Sequence, residues 1–345
     1  MKHWNMAMVA GAVALALTGC GSDSGSDSNS TTPVTLSVSD APVDDVSEVV
    51  VTYSKVAFLP LGGGDPVVVE VYKRDAEGNL IDENGDPLPD GQEPLPLSVN
   101  LLDFQGSDAQ ALVEDQVLDN GDYKLCVFAN DGDHPEYPSY VVETASGNQY
   151  PLTVKGEGKC PQGVGEEPNA GVLYVNDTFT VNNQNDDFVL EFDLRRGLKE
   201  DTTSPDNYTI QRTSVALINT VTTGEIEGEI ATATYGACET DSPSGNGYAH
   251  AVYLYSGDVA QADMGTFAGT GSVAPLSAAN VTTDDNGISY EYEFGYLAPG
   301  TYSIGYTCTA NDDSEEGIVD GETFRIHASQ SNIVVTAGQD SEANL

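Results

Sequence analysis

The sequence predicts an all-β fold with two antiparallel β-sandwich domains, of the Ig-like or transthyretin-like kind, after a signal peptide and a flexible tether. Three observations lead to this prediction: apolar and polar residues alternate over short segments, turn-forming residues separate those segments, and helical periodicity is nearly absent. The alternation is clearest at 288–294 and 302–308, where large side chains fall on one face of a strand. The one helix candidate is 108–117.

Further strands are predicted wherever β-branched and aromatic residues cluster between turn signals such as Asn84-Gly85-Asp86 and Pro299-Gly300. Many short strands with this punctuation are typical of sandwiches. The additional predicted strands lie near 34–40, 48–59, 67–73, 97–104, 122–129, 170–181, 187–194, 207–218, 248–255 and 322–336.

Residues 1–19 have the organisation of a secretory signal peptide. A short basic start with Lys2 precedes an apolar run at 6–17, which is shorter than the roughly 20 residues that span a bilayer as a helix. The run ends in Leu17-Thr18-Gly19-Cys20, which resembles the lipobox of bacterial lipoproteins. The resemblance implies cleavage before Cys20 and attachment of fatty acyl chains such as palmitate to this residue.

The segment 20–33 is rich in serine and glycine and cannot bury a core, so it is predicted to be a flexible tether. Gly21 stands where an aspartate is associated with retention in the inner membrane. We therefore predict a lipid anchor in the outer membrane, with its face, periplasmic or cell-surface, left open. The membrane is the predicted partner through the N-terminal lipid, and the sequence identifies no protein or glycan partner.

The charge of the chain is strongly negative, with 55 acidic against 12 basic residues and a net charge of −43. Such a surface repels nucleic acid and anionic lipid, so a nucleic-acid partner is excluded. Two interpretations of the acidity stay open: adaptation to a salty exterior, or the binding of cations.

The cysteines predict disulfides. Apart from Cys20 the chain has Cys126, Cys160, Cys238 and Cys308, an even number in an oxidising compartment. Three pairings are possible. Joining Cys126 to Cys160 and Cys238 to Cys308 keeps each bridge inside one predicted domain, so we favour this pairing.

The boundary between the two domains is predicted near residue 222, where the composition changes. No lysine follows Lys199, and Arg325 is the single arginine beyond the boundary. The predicted domains are therefore 34–222 and 223–345.

Segments of the first domain carry a family resemblance. In chain order, 37–42 (S-V-S-D-A-P), 49–56, 101–104, 120–123 and 192–198 (F-D-L-R-R-G-L) resemble the DUF4382 family of extracytoplasmic bacterial proteins. The resemblance covers about 34–222, and the insert near 75–95 is longer and more acidic than the family pattern. The family supplies no catalytic residues to carry over.

The second domain is similar in pattern to carboxypeptidase-regulatory-like and Cna-B-type sandwiches. The resemblance rests on 228–230, on 296–302 and on the closing segment 333–339. Cna-B domains often contain a Lys–Asn isopeptide link. Because no lysine follows Lys199, this domain cannot form one internally, and Cys238–Cys308 would be its covalent link instead.

Functionally, the sequence predicts a non-catalytic binding or structural module and not an enzyme. It has no G-x-S-x-G motif, no zinc-ligand spacing and no phosphate-binding loop, and His134, His250 and His327 are scattered. Two alternatives remain. One is a carbohydrate-active enzyme, which needs only two suitably placed carboxylates. The other is a calcium-stabilised adhesin or matrix component.

Calcium is the only cofactor for which the sequence offers candidates. Asp82, Asn84, Asp86, Asp90 and Glu93 place oxygen ligands within one acidic loop, as hard cations prefer. The loop has proline at 87, where an EF-hand needs glycine, and no helical pattern flanks it. We therefore favour a solvated acidic turn.

Two further acidic segments, 131–133 and 311–316, are additional calcium candidates. The pair Arg195-Arg196 suggests an anion site. We favour a structural role instead, in which Arg195 pairs with a partly buried carboxylate and shares a strand face with Asp193.

Overall fold

The computed structural model describes residues 30–41, 46–155, 159–201, 204–242, 247–267, 269, 271–283, 289–314, 317–318 and 324–345. The predicted signal peptide, Cys20 and tether residues 20–29 lie outside them. Strands dominate the described residues, so the predicted all-β fold is confirmed. None of the helices in this part of the chain is long and apolar enough to cross a membrane.

The part of the chain that precedes residue 222 builds two sheets, and we call it the first domain. One short helix, α1 (Leu194–Gly197), follows its tenth strand. The strands are β1 (Thr31–Ala41), β2 (Val46–Pro60), β3 (Val67–Glu70), β4 (Leu97–Asn100), β5 (Gln110–Asp119), β6 (Gly121–Asn130), β7 (Tyr140–Glu143), β8 (Gln149–Lys155), β9 (Ala170–Val181), β10 (Asp187–Asp193), β11 (Leu198–Asp201), β12 (Ser204–Gln211) and β13 (Val215–Asn219).

The first sheet has four strands in the order β13-β10-β1-β5. The second has nine, in the order β11-β12-β8-β7-β2-β6-β9, with β3 and β4 also paired to β2. Most neighbours are antiparallel as predicted, but β1 runs parallel to β10 and β12 runs parallel to β8. The first-domain sheets are therefore mixed.

Strand β10 shows how the sequence pattern fixes the two faces of the four-stranded sheet. Phe188, Leu190 and Phe192 alternate along it and are at most 2% exposed, because they point into the core between the sheets. Burying each such side chain contributes about 1.5–3 kcal/mol. Val189 and Glu191 point to the opposite face, which lies toward the second domain.

The nine-stranded sheet curls so that β8 approaches β9, although the two strands are not neighbours in the hydrogen-bonded order. The approach is possible because β9 has Gly171 there. A Cβ atom at this position would overlap the carbonyl oxygen of Val154.

The chain from residue 224 onward builds the second domain. Its main helix is α2 (Thr232–Asp241). The strands are β14 (Gly224–Glu229), β15 (Ala251–Ser256), β16 (Ser277–Asn280), β17 (Thr282–Thr283), β18 (Tyr290–Leu297), β19 (Gly300–Thr307), β20 (Asp313–Ser314), β21 (Gly317–Ile318), β22 (Ala328–Val335) and β23 (Asp340–Glu342). Two four-stranded sheets, β17-β18-β14-β23 and β16-β15-β19-β22, enclose the core, and β20 pairs with β21.

Two disulfides join the cysteines of the described chain. Cys126 is bonded to Cys160 and Cys238 to Cys308, each with a Cα–Cα distance of 6.0 Å. All four residues are at most 2% exposed. These are the pairs that the sequence favours, and each lies within one domain.

The helix candidate at 108–117 is wrong. This segment forms β5, which pairs antiparallel with β1. Helix-forming residues are present, but the long edge of β1 supplies a pairing partner, and tertiary pairing overrides local propensity. The helix that does form, α2, lacks an apolar stripe and is attached to β19 through the Cys238–Cys308 bridge.

Candidate functional site

The two domains meet at a joint made of a first-domain loop and strand β18. The carboxylate of Glu293 accepts a hydrogen bond from the backbone N–H of Ser107, with 2.7 Å between Oε1 and N. The Tyr296 hydroxyl donates to the carbonyl oxygen of Ser107 at 2.6 Å. Gly106 and Gly295 lie backbone to backbone, so close that a Cβ atom on Gly295 would be 2.5 Å from the carbonyl carbon of Gly106. We call these five residues the interdomain joint.

Tyr296 holds an unusual backbone conformation in this joint. Its φ of +54° lies in the left-handed region, which costs about 1–3 kcal/mol for a residue with a side chain. The hydrogen bond to Ser107 compensates part of this cost. Burial raises the pKa of the Tyr296 hydroxyl, and nearby carboxylates, led by Asp187 and Glu191, raise it further. The hydroxyl therefore stays protonated as a donor.

A second contact between the domains involves Arg195. Its guanidinium carbon lies 5.9 Å from the ring centroid of the buried Tyr253 on β15, which is within the range of a cation–π interaction. The sequence placed Arg195 and Asp193 on one strand face. That placement is wrong, because β10 ends at Asp193 and Arg195 belongs to α1.

Beside the joint lies a cleft of about 600 Å³ with carboxylates on both walls. Among the residues that the structure describes, its lining contains no lysine or arginine. The first domain contributes Asp103 and Asp108, and the second contributes Glu227, Glu229, Glu291, Glu293 and Glu342. Tyr292 also lines the cleft, but its hydroxyl donates to the carbonyl oxygen of Ala343.

The carboxylates near the joint repel one another. Burial raises the pKa of Glu225, and Glu293, which hydrogen-bonds to it, raises it further. On β10, burial and then the charge of Asp193 raise the pKa of Glu191 to about 7. Glu225 and Glu191, which lie near the joint, therefore bind protons more readily than they would in water.

Glu191 gives a prediction about pH. Its carboxyl ionises near 4.5 in the unfolded chain and near 7 in the folded one, so this group makes stability fall as pH rises through that window. We expect Glu191→Gln to raise the free energy of unfolding by roughly 1–3 kcal/mol at pH 8 and to have no effect near pH 4. Urea unfolding at several pH values measures this.

The matched control for this prediction is Glu83→Gln, an exposed glutamate on the first-domain insert. It should leave the pH profile as it is. A profile for Glu191→Gln that is parallel to that of the wild-type protein would contradict the assignment to Glu191.

The calcium candidates lie in a turn that uses its own oxygens. The Asp82 carboxylate accepts backbone hydrogen bonds from Asn84 at 2.9 Å and Asp86 at 3.0 Å. The bond from Asp86 is the main reason that the pKa of Asp82 is lowered. Asp90 and Glu93 do not join it: among the described residues, no three His, Cys, Asp or Glu side chains are grouped to hold a metal ion.

The structure also shows carboxylates of the other two calcium candidates, the segments 131–133 and 311–316. Burial and then Asp133 raise the pKa of Asp131, and these two carboxylates have no third beside them in the described chain. Asp313 is buried and accepts hydrogen bonds from the Tyr253 hydroxyl at 3.0 Å and from the backbone N–H of Phe267 at 2.9 Å. Residues 315 and 316 of that segment lie outside the described residues.

Sequence reasoning missed a polar and aromatic cluster at His250. Its ring stacks on Tyr235 at 3.8 Å, and Tyr235 stacks on Tyr290 at 3.7 Å. The Nδ1 atom of His250 is 2.7 Å from the Tyr306 hydroxyl, and Nε2 is 3.2 Å from Glu239. Tyr306 is fully buried, so no substrate reaches this hydroxyl, and the cluster holds α2 against the sheet. The four-residue spacing of Tyr235 and Glu239 is its only local signal.

A known protein family matches more than half of the chain. Residues 31–211 match the family described as a domain of unknown function, DUF4382. The chain belongs to the DUF4382 family. The match starts at 31 instead of the predicted 34 and ends at 211 instead of 222. Strand β13, which completes the four-stranded sheet of the DUF4382 protein, therefore lies beyond the end of the match. The family description assigns no activity.

Solved structures similar to this DUF4382 protein include a candidate adhesin from Bacteroides ovatus, with 11% identity, coverage of 84% of this chain and 82% of that chain, and a TM-score of 0.15. The minor pilin of Streptococcus agalactiae has 10% identity, 90% and 94% coverage, and a TM-score of 0.16. The major pilin T-13 of Streptococcus pyogenes has 10% identity, 91% and 94% coverage, and a TM-score of 0.13. TM-scores this low support no inference about function. None of the curated proteins matches the chain.

Proposed function

We propose that this DUF4382 protein is a lipid-anchored extracytoplasmic module with a non-catalytic binding or structural role. The observation that carries the proposal is the interdomain joint. Two hydrogen bonds at Ser107 and the contact of Gly106 with Gly295 fix one sandwich on the other. A stiff two-domain body on a flexible tether suits a protein that holds a binding surface, or a spacer, away from a membrane.

The disulfides support the extracytoplasmic part of the proposal. Disulfides form and persist in oxidising compartments, and both bridges here are buried. Together with the lipobox ending in Cys20, they favour a protein that is exported and then anchored. Gly21 favours the outer membrane as the destination.

The contacts at the joint also help to judge the two alternative functions, a glycosidase and a calcium-stabilised adhesin. A glycosidase needs two free carboxyl groups across a cleft, and this cleft has carboxylates on both walls. Glu293, however, is engaged by Ser107, and the Tyr292 hydroxyl by Ala343, so both serve the structure. We therefore favour a binding role. A calcium-stabilised adhesin gains no support from the turn at 82–93, whose leading carboxylate caps its own backbone.

For the domains, we propose the division 34–222 and 223–345, with the second domain a carboxypeptidase-regulatory-like or Cna-B-like sandwich. The two four-stranded sheets that follow residue 222 support this assignment.

Removal of the lipidated cysteine tests the anchor. We expect Cys20→Ala to abolish labelling by an alkyne analogue of palmitate and to move the protein into the soluble fraction. Because each buried CH₂ of a lipid contributes about 0.8 kcal/mol, the loss of membrane attachment should be nearly complete. The neighbouring substitution Gly21→Ala is the control and should leave both readouts as in the wild type. Membrane retention of the Cys20→Ala protein would contradict the lipid anchor.

A further inference from the structure

A groove in the first domain has the opposite charge to the rest of the chain. It has a volume of about 580 Å³, and Lys159 and Arg212 lie in its lining against one carboxylate, Asp177. In a chain with 55 acidic and 12 basic residues, a groove of this size should be acidic. The groove therefore brings together positive charges, which are scarce in this chain.

The groove lies between the edges of the two first-domain sheets. One wall is β9, the last strand of the nine-stranded sheet, and the other is the segment 212–215, which leads into β13, the last strand of the four-stranded sheet. The Cys126–Cys160 bridge shapes the first wall. Cys126 on β6 is paired with Tyr174 on β9, and Cys160 and Tyr174 pack in one apolar cluster, so the bridge holds the residue next to Lys159 at this wall.

A third cation supports the groove from the side of β6. The ammonium of Lys124 donates to the Asn176 side chain at 2.6 Å and lies 5.8 Å from the ring centroid of Tyr174. Both partners line the groove. Positively charged side chains therefore lie on more than one side of the groove.

Lys55, which lies outside the groove, shows how a basic residue of this chain can be neutralised. Lys55 pairs with Glu167 at 3.3 Å and Glu70 at 3.7 Å, which neutralises its charge. Lys159, by contrast, is exposed and forms no ion pair or hydrogen bond with any residue that the structure describes. Its charge is available to a ligand.

We propose that this groove binds an acidic polysaccharide, a polymer of uronate or sulfated sugar units. Sugar rings combine apolar C–H faces with polar edges, and the groove combines Pro161 and Val175 with Asn176 and Thr213. The anionic substituents of such a polymer would meet Lys159 and Arg212. The volume falls within the roughly 300–1,000 Å³ that ligand sites occupy.

An acidic peptide would match the charge of the groove, but it fits the shape of this sheet edge less well. A peptide that recognises a sheet edge adds to it as a strand, and this requires a regular edge. The pairing of β9 with β6 is irregular here, since Leu125 lies opposite Val175 but Tyr123 lies opposite Phe179. Such a bulge interrupts regular edge pairing.

The net charge of −43 sets the conditions for a test. At low salt the whole chain repels a polyanion over long distances, whereas about 0.5 M salt shortens the Debye length to a few ångströms and leaves the direct contacts. Binding is therefore measured at that ionic strength. The full chain is used in detergent micelles.

The probes are an oligomer of alginate and chondroitin sulfate, with neutral dextran, poly-glutamate and inorganic phosphate as comparisons. We expect at least one acidic polysaccharide to bind, and Lys159→Gln with Arg212→Gln to weaken its Kd about ten-fold or more, as loss of two charged contacts implies. The matched control, Lys73→Gln with Arg74→Gln, removes the same charge just before the insert and should change Kd less than about two-fold. Unchanged melting curves show that both variants fold.

Several outcomes would overturn the proposal. The proposed site would be refuted if neither acidic polysaccharide binds, or if the two double variants have equal Kd values. Equal affinity for poly-glutamate would make it a peptide site, and equal competition by phosphate a simple anion site. The inference rests on the proposed binding role and gives it a ligand class. Membrane attachment and the joint are tested by other variants, so a failure here is distinguishable from a failure of the anchor.

Discussion

Alanine at position 295 should lower the free energy of unfolding by about 2–3 kcal/mol and uncouple the two domains. Its Cβ atom would lie 2.5 Å from the carbonyl carbon of Gly106 and 2.7 Å from the backbone nitrogen of Ser107. Both neighbours are backbone atoms, so neither can turn away as a side chain would. Relief of the overlap requires the loop to withdraw, and this breaks the hydrogen bond from Ser107 to Glu293.

Differential scanning calorimetry of the full chain measures this effect. We expect Gly295→Ala to separate one coupled transition into two. Gly236→Ala is the control, because an added Cβ atom there meets no atom within 4 Å and the residue lies in helix α2. Alanine at 236 should be neutral or stabilise by up to about 1 kcal/mol. If Gly295→Ala melts like the wild type, the stiff two-domain body, and the function proposed from it, would be refuted.

The second large effect is expected from loss of the Cys238–Cys308 bridge. The bridge closes a loop with a sequence separation of 70, and chain entropy assigns it about 4 kcal/mol. Replacing both cysteines with alanine should therefore lower the melting temperature of the second domain by on the order of 15 °C. It should also release α2, and with it Tyr235, from the stack on His250.

Near-ultraviolet circular dichroism reports on that stack, because the one tryptophan, Trp4, lies in the predicted signal peptide. The double variant should lose the part of the tyrosine signal that comes from the second domain before the first domain melts. The matched variant, Cys126→Ala with Cys160→Ala, should instead destabilise the first domain. A loss of stability confined to the first domain in the Cys238/Cys308 variant would contradict this expectation.

Much of the fold could be predicted from local patterns. The alternation of Phe188, Leu190 and Phe192 marked β10 because a half-buried strand must place every second residue in the core. Pairing partners could not be predicted in the same way. The parallel pairing of β1 with β10 joins Leu36 to Phe188 across a long stretch of chain, and no local pattern encodes it.

The candidate site was less predictable for the same reason. Gly106 and Gly295 meet because neither has a side chain, yet each alone is an ordinary turn or strand glycine. The acidic loop shows the opposite error. The spacing of Asp82, Asn84 and Asp86 suggested cation ligands, but oxygens at such spacing also serve to cap a tight turn, and the backbone N–H groups of that turn reach Asp82 first.

The order of the disulfides along the chain has a consequence for biogenesis. Each bridge joins cysteines that are consecutive among the four, first Cys126 with Cys160 and then Cys238 with Cys308. A chain that crosses a membrane from its N-terminus exposes its thiols one after another. An oxidase that joins each new thiol to the one waiting before it would produce the native pattern without reshuffling. If the chain is exported as we propose, its folding after export should therefore depend on a disulfide-forming enzyme and be insensitive to loss of a disulfide isomerase.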